Sequence, residues 1–160
     1  RLSATAMVGR GTGISDQMLA KKSAVVTRAM SRHLPHMKNG MEVLRRIGGY
    51  EISALAGAYI HAAQKGIAVL VDGYICTAAA MSAVRINPSI RPWLFFSHCS
   101  AEPGHSRLLN KMEAEPLLQL DMRLGEGSGA ALALPIMQAA CRLQIEMASF
   151  EQAGVSRGNN

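Results

Sequence analysis

The chain has 160 residues, 49% of them hydrophobic and 18% charged, which is enough for one domain with a real core and excludes a disordered segment or two ordinary domains. Its formal charge is +6, but Lys and Arg are scattered, with no basic run interleaved with aromatics, so no nucleic-acid partner is expected. Cys76, Cys99 and Cys141 are far apart and make neither a disulfide framework nor zinc spacing, and no stretch is apolar and long enough to span a bilayer; a reduced, cytoplasmic protein with no membrane partner is the expectation. Because the sequence opens on Arg1 with no Met, a fragment of a longer or processed chain is expected.

In chain order, a small, Gly-rich stretch runs to Gly13. Ser15-Asp16 then reads as a helix start, and Leu19, Val25, Val26 and Met30 predict a helix to about His33. Leu34-Pro35 to Gly40 breaks it. Met41 to Ile47 predicts a short helix with a stop at Gly48-Gly49, and a further helix is predicted from Glu51 to Lys65, stopping at Gly66. The period then changes. Ile67 to Val71 is a short apolar run between Gly66 and Asp72-Gly73, which is how a buried parallel strand reads. Ile75 to Val84 predicts a helix, Trp93 to Phe96 a second buried strand, Gly104 to Met112 a helix, and Pro116 to Leu120 a weaker third strand. After the Gly125–Gly129 turn, an apolar helix is predicted from Ala130 to Phe150, with a break or kink at Pro135, and a polar tail follows from Gly154. Alternating strands and helices imply an α/β fold, three-layer, with a mostly parallel sheet flanked by helices.

Four segments carry chemistry. Gly9-Arg10-Gly11-Thr12-Gly13 stands before a helix start, where closely spaced backbone N–H groups favour an anion; it lacks the spacing of the P-loop and of the dinucleotide fingerprint, so a tight turn explains it as well. Lys22 in the following helix either is solvated or reaches back toward a phosphate or carboxylate. Asp72-Gly73 ends a predicted strand, where a carboxylate meets ribose hydroxyls or a metal, or else caps a helix. Ser97 to His105 offers hydroxyls, His98, His105 and Cys99. A Cys–His nucleophilic pair or a metal site is conceivable there, and a polar binding loop is the simpler reading. In Leu124-Gly125-Glu126-Gly127-Ser128-Gly129, a helix-start Glu accounts for the carboxylate but not for the glycines around it. A carboxylate so flanked approaches a ligand without obstruction and suits proton transfer.

In order, the strings VGRGTG, EVLRRIGGYEISALAGAY, GIAVLVDGYICTAAA, SHCSAEPGH and LGEGSGAALALP resemble those of the nicotinate-nucleotide:dimethylbenzimidazole phosphoribosyltransferase family, over about Val8 to Ser156. The resemblance implies transfer of phosphoribosyl from nicotinate mononucleotide to 5,6-dimethylbenzimidazole, giving α-ribazole 5′-phosphate and nicotinate for cobalamin assembly. It implies Glu126 as general base and Lys22 as a residue that positions the catalytic carboxylates. Gly11, Gly13, Asp72, Gly73, Ser100, Leu124 and Gly125 are implied to contact the nucleotide or nicotinate. No cofactor or metal is implied, and a homodimer is. A full member is about twice this length, so the chain is expected to be the C-terminal part of a single α/β phosphoribosyltransferase domain, residues 1–160, without the N-terminal half. Two other classes stay open: a non-catalytic nucleotide- or anion-binding module, and a bare structural or dimerisation domain built on the terminal helix.

Overall fold

The computed structural model describes residues 3–11 and 13–155. Thr12 of the glycine loop and the tail from Ser156 lie outside the described residues. A short helix α1 (Ala4–Met7) precedes the first long one, α2 (Asp16–His33). The expected start is present: Ser15 Oγ accepts the N–H of Met18 at 3.4 Å, and Asp16 complements the positive end of the helix. A 3₁₀ turn, Leu34–His36, breaks the chain where Pro35 was expected to.

The stop expected at Gly48-Gly49 is a bend. Helix α3 (Gly40–Val43) passes into a π turn, Leu44–Gly48, and α4 (Gly49–Gln64) follows without a loop. Gly49 takes φ 73°, a conformation that glycine adopts without penalty, so the pair re-aims the helix and does not end it. Gly66, at φ 70°, ends α4 as expected.

The apolar run becomes β1 (Val69–Val71), which pairs in parallel with β2 (Leu94–Phe96), Val69 opposite Leu94 and Val71 opposite Phe96. Between them run α5 (Tyr74–Ile86) and a 3₁₀ segment, Pro88–Trp93, so the unit is a strand–helix–strand crossover. Val71, Leu94 and Phe96 are buried, whereas Phe95 is exposed and Val69 and Leu70 are half-buried, so the expectation of fully buried strands holds for one face of the pair only. Ala56 and Ala63 of α4 and Ala79, Ala80 and Ala83 of α5 fill the core between the helices. Side chains this small let helix axes approach closely, and the larger Leu44, Tyr59 and Ile90 close the remaining space.

The third strand is a correction. Residues 117–122 run beside the end of β2, with the Leu117 and Leu118 N–H groups donating to Phe96 and Ser97 carbonyls at 2.9 Å, but only one bridge forms, His98 with Leu118. Pro116 brings no N–H to the ladder, and Asp121 at φ 52° turns the chain out of the extended region. The parallel sheet among the described residues is therefore two paired strands plus this bridge, smaller than the three-layer expectation implies.

Helix α6 (His105–Lys111) follows the loop after β2. Its exit is held by Arg91, whose guanidinium donates to the carbonyls of Leu94, Met112 and Glu113 at 3.3, 3.4 and 3.1 Å and lies 5.2 Å over the Phe96 ring. One of the scattered arginines is thus a structural latch. Helix α7 (Ser128–Glu146) starts earlier and ends earlier than expected, and it continues through Pro135 without a break. Within it Gly129 and Ala133 are buried, whereas Leu132, Leu143, Ile145 and, just beyond its end, Met147 are exposed. No helix of the described residues is long and apolar enough to cross a membrane.

Candidate active site

In parallel sheets ligands bind beyond the C-terminal ends of the strands. Here β1 ends into Asp72-Gly73, β2 into Ser97–His105, and residues 117–122 into the Gly125 loop, so three chemically rich segments meet on one side. The segment from Met7 to Gly11 and Lys22 of α2 close that side into a cleft of about 580 Å³, within the usual size of small-molecule sites. Gly11, Lys22, Asp72, Gly73, Ser100, Leu124, Gly125 and Glu126 all line it. Gly13, exposed, is not among the lining residues. Glu102, Arg123 and Tyr74 also line it and were not singled out from the sequence.

The Glu126 loop has unusual backbone geometry. Gly125, Glu126 and Gly127 all have positive φ, at 90°, 57° and 79°. Glycine does this freely; a Glu there is strained, and such strain gathers at ligand sites. The flanking glycines let the loop wind left-handed through Glu126, which carries its carboxylate on the rim of the cleft. Among the described residues Glu126 makes no ion pair.

The loop is anchored at the start of α7. Asp72, 9% exposed, accepts the N–H of Ala130 on Oδ1 at 2.9 Å. Its carboxylate therefore caps a helix, one of the two readings open for it, though the helix is α7 and not the one that follows it in sequence. Gly129 is packed so closely that a Cβ would fall on the His98 ring and 2.9 Å from Asp72 Oδ1. Buried Ser97 donates its hydroxyl to the Asp72 carbonyl at 2.7 Å and lies 3.2 Å from His98 Nδ1.

The loop after β2 is held by His105, which has no exposed surface. Its Nδ1 accepts the Ser100 N–H at 2.8 Å, which leaves the proton on Nε2 to be donated to Thr77 Oγ1 at 2.9 Å. Burial, and then nearby His98, push its pKa down to about 4, against a smaller opposing effect of Asp72. It is a neutral positioning group. Cys99 is outside the cleft lining, and its thiol points to the Ser100 carbonyl at 3.8 Å. Burial pushes that thiol up, so it stays protonated, contrary to what a Cys–His nucleophile requires. No group of three or more His, Cys, Asp or Glu side chains is arranged to hold a metal among the described residues.

The opposite wall joins the N-terminal segment to the rest. Lys22 Nζ donates to the Gly9 carbonyl at 3.1 Å, and the Tyr74 hydroxyl donates to the Met7 carbonyl at 2.9 Å. Burial, and then the charge of Glu102, raise the Tyr74 phenol, so it remains a donor. The cleft thus holds cations at Lys22 and Arg123, carboxylates at Asp72, Glu102 and Glu126, and glycine backbone between them.

A family model described as a phosphoribosyltransferase, DBI_PRT, matches residues 1–155. A nicotinate-nucleotide–dimethylbenzimidazole phosphoribosyltransferase from Azotobacter vinelandii is 58% identical over 153 residues, covering 96% of this chain and 44% of its own. One from Pseudomonas aeruginosa is 55% identical with the same coverage. The crystal structure of CobT from Thermus thermophilus superposes with a TM-score of 0.90 at 44% identity, over 98% of this chain and 46% of that one. The chain spans less than half the length of these relatives.

Proposed function

Because the chain belongs to the phosphoribosyltransferase family that this comparison defines, we propose that its cleft serves phosphoribosyl transfer from nicotinate mononucleotide to 5,6-dimethylbenzimidazole in cobalamin nucleotide-loop assembly. The observation that supports it most is the meeting of Lys22, the Gly9–Gly11 turn and Glu126 on one cleft. In this reading the glycine backbone holds the donor phosphate, and Lys22 positions the catalytic carboxylates. The bond from the anomeric carbon to nicotinate breaks, and its electron pair neutralises the pyridinium nitrogen, so no strong general acid is needed. One benzimidazole nitrogen attacks that carbon while the proton of the other passes to the Glu126 carboxylate. The same carboxylate favours the positive charge that develops on the sugar. The reaction requires no redox or metal group. Gly11, Gly73, Ser100, Leu124 and Gly125 serve the substrate as contacts; Gly13, away from the cleft lining, acts through the turn. Asp72 acts through α7.

The runner-up is a non-catalytic nucleotide-binding module. What supports it is the cleft's glycine backbone beside Lys22, which suits a bound anion whether or not Glu126 takes a proton. A homodimer in the cytoplasm is proposed with either reading, and the uncovered apolar side chains Leu143, Ile145 and Met147 on and just beyond α7 support it; a monomer in sedimentation would remove it. The experiment on activity is incubation with nicotinate mononucleotide and dimethylbenzimidazole and detection of α-ribazole 5′-phosphate by mass spectrometry. The chain is taken first alone and then with the segments that the relatives carry beyond the matched stretch. Product in either case supports the enzyme; binding of the mononucleotide with no product in both favours the module.

A further inference from the structure

Of the three carboxylates in the cleft, Asp72 is committed to the α7 N-terminus through Ala130 and Glu126 is assigned to the proton. Glu102 remains, with its carboxylate engaged in no hydrogen bond or ion pair among the described residues. We propose that Glu102 binds the ribose hydroxyls of the phosphoribosyl donor, an assignment that rests on the donor reading above.

Its position is built. The Glu102 N–H donates to Ser100 Oγ at 3.1 Å, and the Ser100 N–H is itself held by the buried ring of His105 at 2.8 Å. The carboxylate lies over the backbone of Gly9, in the space that a Cβ at residue 9 would take. Gly9 is buried, and its carbonyl accepts from Lys22. The absence of a side chain at Gly9 is therefore what admits the carboxylate beside the turn read as the phosphate holder. Lys22, a cation of the same cleft, spends a hydrogen bond on that backbone carbonyl, and Glu102 forms no ion pair among the described residues, which leaves the carboxylate oxygens as acceptors.

The donor's chemistry selects the partner. Nicotinate mononucleotide carries a phosphate and a carboxylate, both of which a glutamate repels, and a vicinal diol whose two O–H groups it accepts. A carboxylate on a ribose diol is a recurrent arrangement in nucleotide sites, and hydrogen bonds to a charged acceptor are the stronger class. The cationic pyridinium ring is the other group that a carboxylate attracts, and the test must separate the two.

The test is calorimetric binding of nicotinate mononucleotide and of its 2′-deoxy and 3′-deoxy analogues to the wild-type chain and to Glu102→Ala, with thermal unfolding of both proteins as a check on folding. The wild type is expected to prefer the ribose donor over at least one deoxy analogue by roughly 10-fold or more, the value of a hydrogen bond to a charged group. Glu102→Ala is expected to bind all three alike. A preference that survives in Glu102→Ala overturns the assignment, as does an equal loss of affinity for all three donors, which points to the pyridinium. Absence of saturable binding by folded wild-type chain, both alone and with the segments that the relatives carry beyond the matched stretch, overturns the donor reading itself and the assignment with it. If Glu102→Ala does not fold, Glu102→Gln, which keeps the side chain's length but loses its charge, is expected to shrink the same preference, and an unchanged preference there also overturns the assignment.

Discussion

The carboxylate of Asp72 accepts the backbone N–H of Ala130 at 2.9 Å, across 58 residues of sequence. It ties the end of β1 to the first turn of α7, and that turn carries the loop on which Glu126 stands. A single side chain thus connects the sheet to the proposed base. Gly127, which precedes α7, offers no side-chain cap of its own, so the cap comes from elsewhere in the fold.

Asp72→Ala is expected to lower stability by about 1–2 kcal/mol, the usual value of a lost helix cap, and to weaken turnover through the displaced Glu126 loop. Asp72→Asn keeps an acceptor oxygen and is expected to cost less on both counts. Urea denaturation of the three proteins checks the order. Equal stabilities, with mononucleotide binding lost in both variants, would make Asp72 a direct ligand contact.

Gly129→Ala introduces a methyl onto the His98 ring and against Asp72 Oδ1. Neither neighbour is the free end of a flexible side chain, since both are buried and hydrogen-bonded. Overpacking of this kind costs about 1–3 kcal/mol. The expected result is lower stability together with weaker mononucleotide binding, whereas Gly57→Ala, where a Cβ meets nothing within 4 Å, is expected to leave binding unchanged.

His105 makes stability depend on pH. Folding lowers its pKa from 6.5 to about 4, so between those values the unfolded chain holds a proton that the folded chain does not. Stability therefore rises with pH across that window and is lost as pH falls through it, at up to about 1.4 kcal/mol per unit, levelling off below the folded value. Protonation would also set an N–H of the ring against the Ser100 N–H. Denaturation midpoints at pH 7 and pH 5 are expected to differ by less in His105→Gln than in the wild type; a difference of the same size in both would remove His105 as the cause.

Arg91→Ala is expected to destabilise the chain by about 1–3 kcal/mol, since it releases the Leu94, Met112 and Glu113 carbonyls and the Phe96 ring. Arg91→Lys recovers little of this, because an ammonium cannot span several carbonyls while lying flat on a ring. Thermal unfolding checks both.

Local rules made the long elements legible. Ser15-Asp16 starts α2, the run to Val71 is β1, and Gly66 ends α4 as its residues suggest. What failed was decided by geometry over distance. A Gly-Gly pair is a stop or a bend according to whether the chain packs on beyond it, and at Gly49 it bends. The run from Pro116 needed a ladder that Pro116 and Asp121 interrupt. In the cleft, the glycines around Glu126 marked the loop from sequence, and the motif series named Lys22. Glu102 was not singled out, because its position depends on the approach of Gly9 from the far end of the chain. The sequence left ligand and cap both open for Asp72, and the cap became visible only where the Ala130 N–H meets its Oδ1.

The most direct measurement of the central claim is α-ribazole 5′-phosphate formation by wild type and Glu126→Gln, each supplied with the segments that the relatives carry beyond the matched stretch, with mononucleotide affinity measured alongside. A glutamine keeps the shape of the loop and cannot take the proton. Unchanged affinity with turnover reduced by roughly 100-fold or more is the expected result for loss of a general base. Turnover equal to wild type would contradict the assignment of Glu126 and the mechanism built on it.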